Sequence, residues 1–225
     1  MKALSIIVPT LDEAAAIEAC LGPLQALRER GVEVIVVDGG SCDATRELAT
    51  PLADRVLDAP RGRARQMNAG AHAARGSVLL FLHADTLLPA GADALVARAI
   101  EGGAPWGRFD VAITGADPLL RVIACSMNAR SRWSAIATGD QAIFVKRDAF
   151  QAAGGFPDIP LMEDVALSRA LKRAGRPACL RERVVTSGRR WERRGTLRTI
   201  FLMWRLRLAY AAGADPSTLS HRYDA

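Results

Sequence analysis

The 225-residue chain has no uninterrupted apolar run of about 18 residues, the length needed to cross a bilayer. A membrane-spanning helix is therefore not expected. Four cysteines, Cys20, Cys42, Cys125 and Cys179, are widely scattered, and no pair has metal-ligand spacing. That argues against a zinc ribbon or a disulfide scaffold and for free thiols in a reducing cytoplasm. Internal repeats and low-complexity tracts are missing. Met1-Lys2 runs straight into a strand-like segment, Ala3 to Val8, too short for a signal peptide and followed by no cleavage site. The expected location is the cytoplasm. Pro9 to Glu13 contains neither glycine nor lysine, which disfavours the phosphate loop of a nucleotidyltransferase. Few aromatics, Trp191 and Trp204 with Phe201, lie in the most basic stretch. Nucleic-acid binders interleave basic residues with more exposed aromatics, so no nucleic-acid partner is expected.

What is present is a half-hydrophobic composition, ample for one α/β domain with an appendage. The net charge of +6 is unevenly placed. Residues 176–207 hold ten arginines against Glu182 and Glu192, a local +8, whereas residues 1–175 sum to −1. A basic region confined to the C-terminal part implies an anionic partner there.

The first hundred residues alternate strand and helix. Strands are expected at 4–8, 32–37, 55–57 and 78–82, with helices at 14–30, 41–52, 61–75 and 90–100. Such alternation predicts a mostly parallel sheet flanked by helices. Pro23 should kink or split its helix, and Ser41 is a candidate N-cap. The run Val78-Leu79-Leu80-Phe81-Leu82 suits a strand buried on both faces. Beyond it the pattern predicts strands at 106–113, 142–145 and 184–185. Helices are predicted at 118–133, 147–153, 163–173 and 196–212. The last is apolar most of the way round and interrupted by Arg198, Arg205 and Arg207. It reads as a helix packed on the domain or a second subunit, or as a basic amphipathic helix lying on a membrane. The chain divides into a βα half at 1–101, a second half of the same domain at 102–192, and a helical appendage at 193–225.

Asp12/Glu13, Asp38 and Asp85 each follow a strand end. Ligands of open α/β sheets bind at that rim. A carboxylate there can hold a divalent cation, which in turn can hold a diphosphate. Gly39 and Gly40 permit close backbone approach by a ligand. Of Arg61, Arg63 and Arg65, at spacing two, at least one should point at the ligand end of the sheet. Glu163 and Asp164 open a helix, where negative charge suits the dipole; with Asp140 they are the candidates for a general base.

These motifs resemble family-2 glycosyltransferases of the GT-A fold. Ser-Ile-Ile-Val-Pro-Thr-Leu-Asp-Glu at 5–13 and Val-Val-Asp-Gly-Gly-Ser-Cys-Asp-Ala-Thr at 36–45 are similar to that family's opening. Phe-Leu-His-Ala-Asp-Thr at 81–86 is similar to its metal motif. Gly-Asp-Gln at 139–141, Gly-Gly-Phe at 154–156, Glu-Asp at 163–164 and Arg-Arg-Trp at 189–191 follow in the family's order. Within the family the chain most resembles a compact bacterial group labelled arsenosugar-biosynthesis glycosyltransferases.

The resemblance implies a GT-A α/β fold and an inverting, metal-assisted transfer from a nucleotide diphosphate sugar, a UDP-sugar in first place, to an acceptor hydroxyl. It implies that Pro9, Glu13, Asp38 and Gly39 hold the base and ribose. Arg61, Arg63, Arg189, Arg190 and Trp191 would lie near the diphosphate and acceptor. Asp85 would bind Mn²⁺ or Mg²⁺, and Asp164 would be the base, with Glu163 beside it. His83 stands where the family has an acid; imidazole is a poorer ligand than carboxylate for Mg²⁺ and a better one for Mn²⁺. The acceptor is expected to be small or lipid-linked, with peripheral contact at the inner membrane face through 196–212 or a homodimer covering that helix. The rivals are a nucleotidyltransferase, a binding module, and a GT-A-fold nucleotide-binding protein with weak or lost catalysis.

Overall fold

The computed structural model describes residues 3–224, apart from the side chains of Arg190, Arg193 and Asp224. Eight strands make one sheet: β1 (Leu4–Thr10), β2 (Glu33–Asp38), β3 (Arg55–Asp58), β4 (Val78–Phe81), β5 (Thr86–Leu87), β6 (Trp106–Thr114), β7 (Phe144–Lys146) and β8 (Ala178–Ser187). Their order is β3-β2-β1-β4-β7-β6-β8-β5. The β3-β2-β1-β4 half is parallel throughout. β7 then reverses the direction: it runs antiparallel to both β4 and β6. β8 lies parallel to β6, and β5 antiparallel to β8. The predicted α/β architecture is present, with a parallel half continued by a mixed one. Because β1, β2 and β4 point the same way, Thr10, Asp38 and the 83–85 turn share one rim.

Each face of the sheet packs against helices. Ile6 and Ile7, successive residues of β1, are both fully buried and point to opposite faces. Ile6 joins Val8, Val34, Leu80 and Phe144, under α1 (Ile17–Leu21), α2 (Gln25–Glu29) and α5 (Ala92–Glu101). Ile7 joins Val37, Leu79 and Phe81 on the other face, under α4 (Arg63–Ala73) and α8 (Glu163–Leu171). The continuous apolar strands are thus two interleaved core faces. Each such side chain contributes roughly 1.5–3 kcal/mol by leaving water. Gly70 of α4 lets the helix sit on β1: a Cβ there would meet Ile7 Cγ2 at 2.4 Å.

Several boundaries differ from those expected, each for a local reason. The 14–30 helix begins at Ile17 and is split by a 3₁₀ turn at Gly22–Leu24, as Pro23 requires. α3 (Thr45–Ala49) is shorter than expected, because Pro51 turns its end into a 3₁₀ segment. Ser41 is not its N-cap; its hydroxyl instead accepts the Asp12 N–H at 2.9 Å. The strand expected at 184–185 runs from Ala178 to Ser187 and skips two residues against β6 between Phe109 and Asp110. Its charged first half, Arg181-Glu182-Arg183, is exposed and hides the periodicity. β5, α9 (Arg189–Arg194) and α11 (Pro216–Asp224) were not foreseen. α6 (Leu119–Ser134) and α7 (Arg147–Ala152) fall near their expected places, and α10 (Thr196–Ala211) does too. Among the described residues no helix is long and apolar enough to cross a membrane.

Candidate active site

A cavity of about 480 Å³ opens at the rim where β1 and β4 end. Pro9, Glu13, Arg61, Arg63, His83, Asp85, Asp140 and Trp191 all line it. Eight positions spread over 183 residues of sequence are therefore brought to one concavity. Asp38, Gly39, Glu163, Asp164 and Arg189 are not part of the wall. The side chain of Arg190 lies outside the described residues.

The floor is the loop after β1, with Thr10, Leu11 and Glu13, and the loop after β2 supports it from behind. Asp38 is 1 % exposed. Its Oδ2 accepts the N–H groups of Gly40 and Ser41, each at 2.9 Å, and its Oδ1 accepts the Ser41 and Thr10 hydroxyls. Burial acts to raise its pKa, but the bonds from Ser41, Gly40 and Thr10 outweigh it and hold the carboxyl below its ordinary range. Asp38 thus shapes the loop with both oxygens engaged. Gln66 locks the same rim: its Nε2 donates to Thr10 O at 2.7 Å and to Val37 O at 2.9 Å. A polar residue buried on the small apolar face of α4 was the signal for it.

Glu13 follows Asp12, whose φ of +53° is left-handed. Such backbone costs a non-glycine residue free energy and needs local support. Here the Asp12 carboxylate accepts the Cys42 N–H at 2.8 Å and its own N–H is held by Ser41. Burial first, and the negative Asp85 second, raise the Glu13 pKa; Arg189 and His83 act the other way. Arg189 Nη2 lies 3.8 Å from Glu13 Oε2. It therefore reaches across the cavity mouth from α9 even though it is not in the wall.

Glu13 and Asp85 repel each other across the cavity, and a cation would relieve that repulsion. Among the described residues no three His, Cys, Asp or Glu side chains converge as a cage. The donor set therefore fits a hard cation held by one carboxylate and completed by phosphate oxygens and water, which is the usual habit of Mg²⁺. His83 has one ring nitrogen engaged: its Nδ1 lies 3.2 Å from Asp140 Oδ1, and its buried Nε2 has no hydrogen-bond partner among the described residues. The ring packs so closely on Gly139 that a Cβ there would fall 2.3 Å from Nε2. His83 joins the β4 turn to the 139–141 turn.

The opposite wall includes Pro160 and Leu161, just ahead of α8. Met162, at φ +70°, turns the chain sharply into the helix. Glu163 is 2 % exposed and its Oε1 meets Arg63 Nη1 at 3.3 Å, so it is committed to an ion pair. Asp164 is half-buried; it accepts the Gly139 N–H at 2.9 Å and the Val165 N–H at 2.7 Å. Burial first, then the neighbouring Glu163 charge, push its pKa up to about 6, against the two N–H groups and Arg63. That value suits a general base near neutral pH. Arg130 of α6 faces it and escaped the sequence reading. Burial lowers the Arg130 pKa while Asp164 opposes the shift, and its Nε and Nη2 lack hydrogen-bond partners among the described residues.

Glu163→Gln removes one negative neighbour and frees Arg63. Both changes favour the Asp164 anion, so its titration midpoint, followed by carboxyl carbon resonance, is expected to move from about 6 toward the ordinary carboxylate range. An unmoved midpoint would mean that burial alone sets it.

The three arginines after Pro60 part company as their spacing implied. Arg61 and Arg63 line the cavity, while Arg65 turns outward to Asp158 at 2.8 Å. The roof comes from the C-terminal helices: Thr199 and Met203 of α10, with Ser220 and Tyr223 of α11. No motif marked these residues, because their place depends on how α10 and α11 fold back.

Comparison with known proteins follows the same outline. A family model described as "Glycosyl transferase family 2" matches residues 5–149. The chain is similar to the "PGL/p-HBAD biosynthesis glycosyltransferase" of Mycobacterium tuberculosis. The two are 40% identical over 91 residues, which is 37% of this chain and 36% of that protein. The match therefore spans about a third of the relative's length. Among solved structures, residues 1–349 of S. aureus TarS superpose with a TM-score of 0.67 at 17% identity, covering 83% of this chain and 60% of that one. The mannosyltransferase PcManGT from Pyrobaculum calidifontis, solved with GDP-Man and Mn²⁺, gives a TM-score of 0.65 at 22% identity, covering 98% and 68%. At these identities the two structures speak for the fold.

Proposed function

The chain belongs to glycosyl transferase family 2, and we propose that it moves a sugar from a nucleoside diphosphate sugar, a UDP-sugar in first place, to a hydroxyl of a small or lipid-linked acceptor, with inversion. The observation that carries this reading is the cavity itself, where the acidic rim of Glu13 and Asp85 faces Arg61 and Arg63. Asp164, with a pKa near 6, stands behind that wall.

In the proposed reaction Pro9, Glu13 and the Asp38–Gly39 loop receive the base and ribose. Glu13 is the open acceptor there, and Asp38 holds the loop's shape. Arg61, Arg63 and Arg189 face the diphosphate, and Trp191 offers a surface to the acceptor. Asp85 would hold Mn²⁺ or Mg²⁺, and a cation bound there supplies charge neutralisation for the departing diphosphate. Asp164 takes the proton of the acceptor hydroxyl as its oxygen bonds to the anomeric carbon. The bond to the diphosphate breaks on the opposite face, and its electron pair leaves with the nucleotide. Arginines aimed at that leaving group stabilise the charge it gains. One displacement needs one base, and Asp164 is the carboxyl whose proton affinity suits it. We place the reaction in the cytoplasm, at the inner face of the membrane, with residues 196–212 in contact with it.

Calorimetric titration with UDP and with GDP, each with Mn²⁺, Mg²⁺ or chelator, tests the donor site. UDP is expected to bind with metal. Chelator or Asp85→Ala should weaken it by more than about 10-fold, the scale already reached by outer-shell changes at metal sites. Failure of both nucleotides to bind under every condition would overturn the proposal.

A further inference from the structure

A second pocket, of about 470 Å³, lies beside the first and shares Thr199 with it. Four guanidinium groups line it: Arg194 from α9, Arg198 and Arg205 from α10, and Arg222 from α11. No acidic side chain is among the described residues of its wall. Arg194 also donates to the Tyr223 carbonyl, which ties α9 to α11. Arg198, Arg205 and Arg222 are exposed. Three helices thus converge to place the exposed Arg198, Arg205 and Arg222 together, an arrangement that favours an anion between them.

Next to this pocket runs an apolar stripe. Leu197, Phe201, Trp204 and Leu208 sit at spacings of four, three and four along α10, hence on one face. They are 61, 66, 65 and 69 % exposed. The opposite face, with Thr199 and Leu206, is buried against the body. Arg198 and Arg205 each follow a stripe residue by one position, so they flank the stripe along one edge, and Phe201 belongs to both stripe and pocket. Two large aromatics and two leucines laid open beside clustered arginines form an interfacial pattern: side chains for the acyl boundary, guanidinium groups at headgroup depth.

We propose that this pocket binds the phosphate of a membrane lipid, with the α10 stripe seated in the acyl region, so that the lipid's head is held against the Thr199 wall of the donor cavity. The proposal deepens the membrane contact named above and rests on it. It adds a defined anion site and the chemical class of its occupant. Arginine forks match phosphate oxygens bidentately. A second copy of this chain fits less well, since a symmetric contact through α10 would bring two arginine clusters together. A nucleic acid would leave the aliphatic part of the stripe in water.

The test is co-sedimentation of the full chain with vesicles of phosphatidylcholine alone, or with about 20 mol % phosphatidylglycerol or phosphatidic acid, while the part of the tryptophan emission change that is lost in Trp204→Phe reports insertion. Binding is expected only with the anionic vesicles, strongest with phosphatidic acid, and with a blue-shifted emission. Arg198→Gln/Arg205→Gln/Arg222→Gln should weaken it on the order of 100-fold, since each surface arginine contributes about fivefold. Phe201→Ser/Trp204→Phe should weaken binding while leaving the preference for phosphatidic acid. Inorganic phosphate at millimolar concentration should not compete; if it does so fully, the site takes free phosphate and the lipid assignment falls. Equal vesicle binding by the arginine variant, a stable dimer in solution that hides α10, or tighter binding of single-stranded RNA would each overturn the proposal. Nucleotide titration of the same variants keeps the two readings apart: the arginine variant should bind UDP like the parent chain, whatever happens at the vesicle.

Discussion

Asp164→Asn is expected to lower kcat by on the order of 10²–10⁴-fold, the usual contribution of a positioned general base, while affinity for the nucleotide changes little. The measurement is turnover of a UDP-sugar, with water or a hydroxyl compound as acceptor. The parent enzyme should lose activity by about tenfold per pH unit below about 6, as Asp164 takes up its proton and cannot receive another. The sign follows from burial and Glu163: both favour the neutral acid, so the base is lost at a higher pH than an ordinary aspartate would be. In the Asn variant that acidic limb should vanish. An amide oxygen can accept from Gly139 or Val165 but not from both as the carboxylate does, while the cost of a buried charge is relieved. These changes oppose each other, so Tm should shift little and the loss should be chemical. Asp140→Asn is the decisive comparison, because Asp140 lies in the cavity wall and meets His83 at 3.2 Å. A large loss there with Asp164→Asn nearly normal would move the base to Asp140.

Asp110→Ala is expected to be the most damaging single change to stability. Arg108 of β6 is fully buried, and its guanidinium pairs with Asp110, two residues on and so on the same face of the strand. The other Asp110 oxygen takes Arg132 from α6, and Arg108 Nη2 donates to Asn128 O at 3.1 Å. Removing the carboxylate strands a buried cation and costs about 3–5 kcal/mol, a large part of a typical 5–15 kcal/mol. For a chain of this size Tm should fall by roughly 6–20 °C. The paired replacement Arg108→Met/Asp110→Leu should recover most of that, because no fully buried charge is then left unpaired, while Arg132 is about a third exposed and keeps its bond to Cys179 O. A loss below about 1 kcal/mol in Asp110→Ala would show that water reaches Arg108.

The parallel half of the sheet was legible because its strands are buried on both faces and announce themselves as unbroken apolar runs. Val78 to Leu82 is the plainest case. Asp85 and Glu13 were legible for a related reason: acids standing just past such runs must lie on the sheet's carboxyl rim. The mixed half was harder. β8 carries Arg181-Glu182-Arg183 on an exposed flank, so its ten residues looked like two. Thr86-Leu87 is too short to show a period at all. Asp38 was correctly placed at the rim, yet the number of hydrogen bonds its oxygens accept depends on a loop fold that no spacing reveals. His83 departs from the family's acid at a metal motif; the structure partners it with Asp140, 57 residues away.

The sequence alone determined the alternation of strand and helix, the acidic rim and the concentration of arginine at the C-terminal end, because each is a property of residues near one another in the chain. Only the tertiary structure decided which carboxyl is buried beside Glu163 and therefore holds its proton to about 6. It alone decided that α10 and α11 roof the cavity, and that four arginines from three helices share one pocket. Burial, and charge acting through space, are set by what packs against a residue, and those neighbours come from distant parts of the chain.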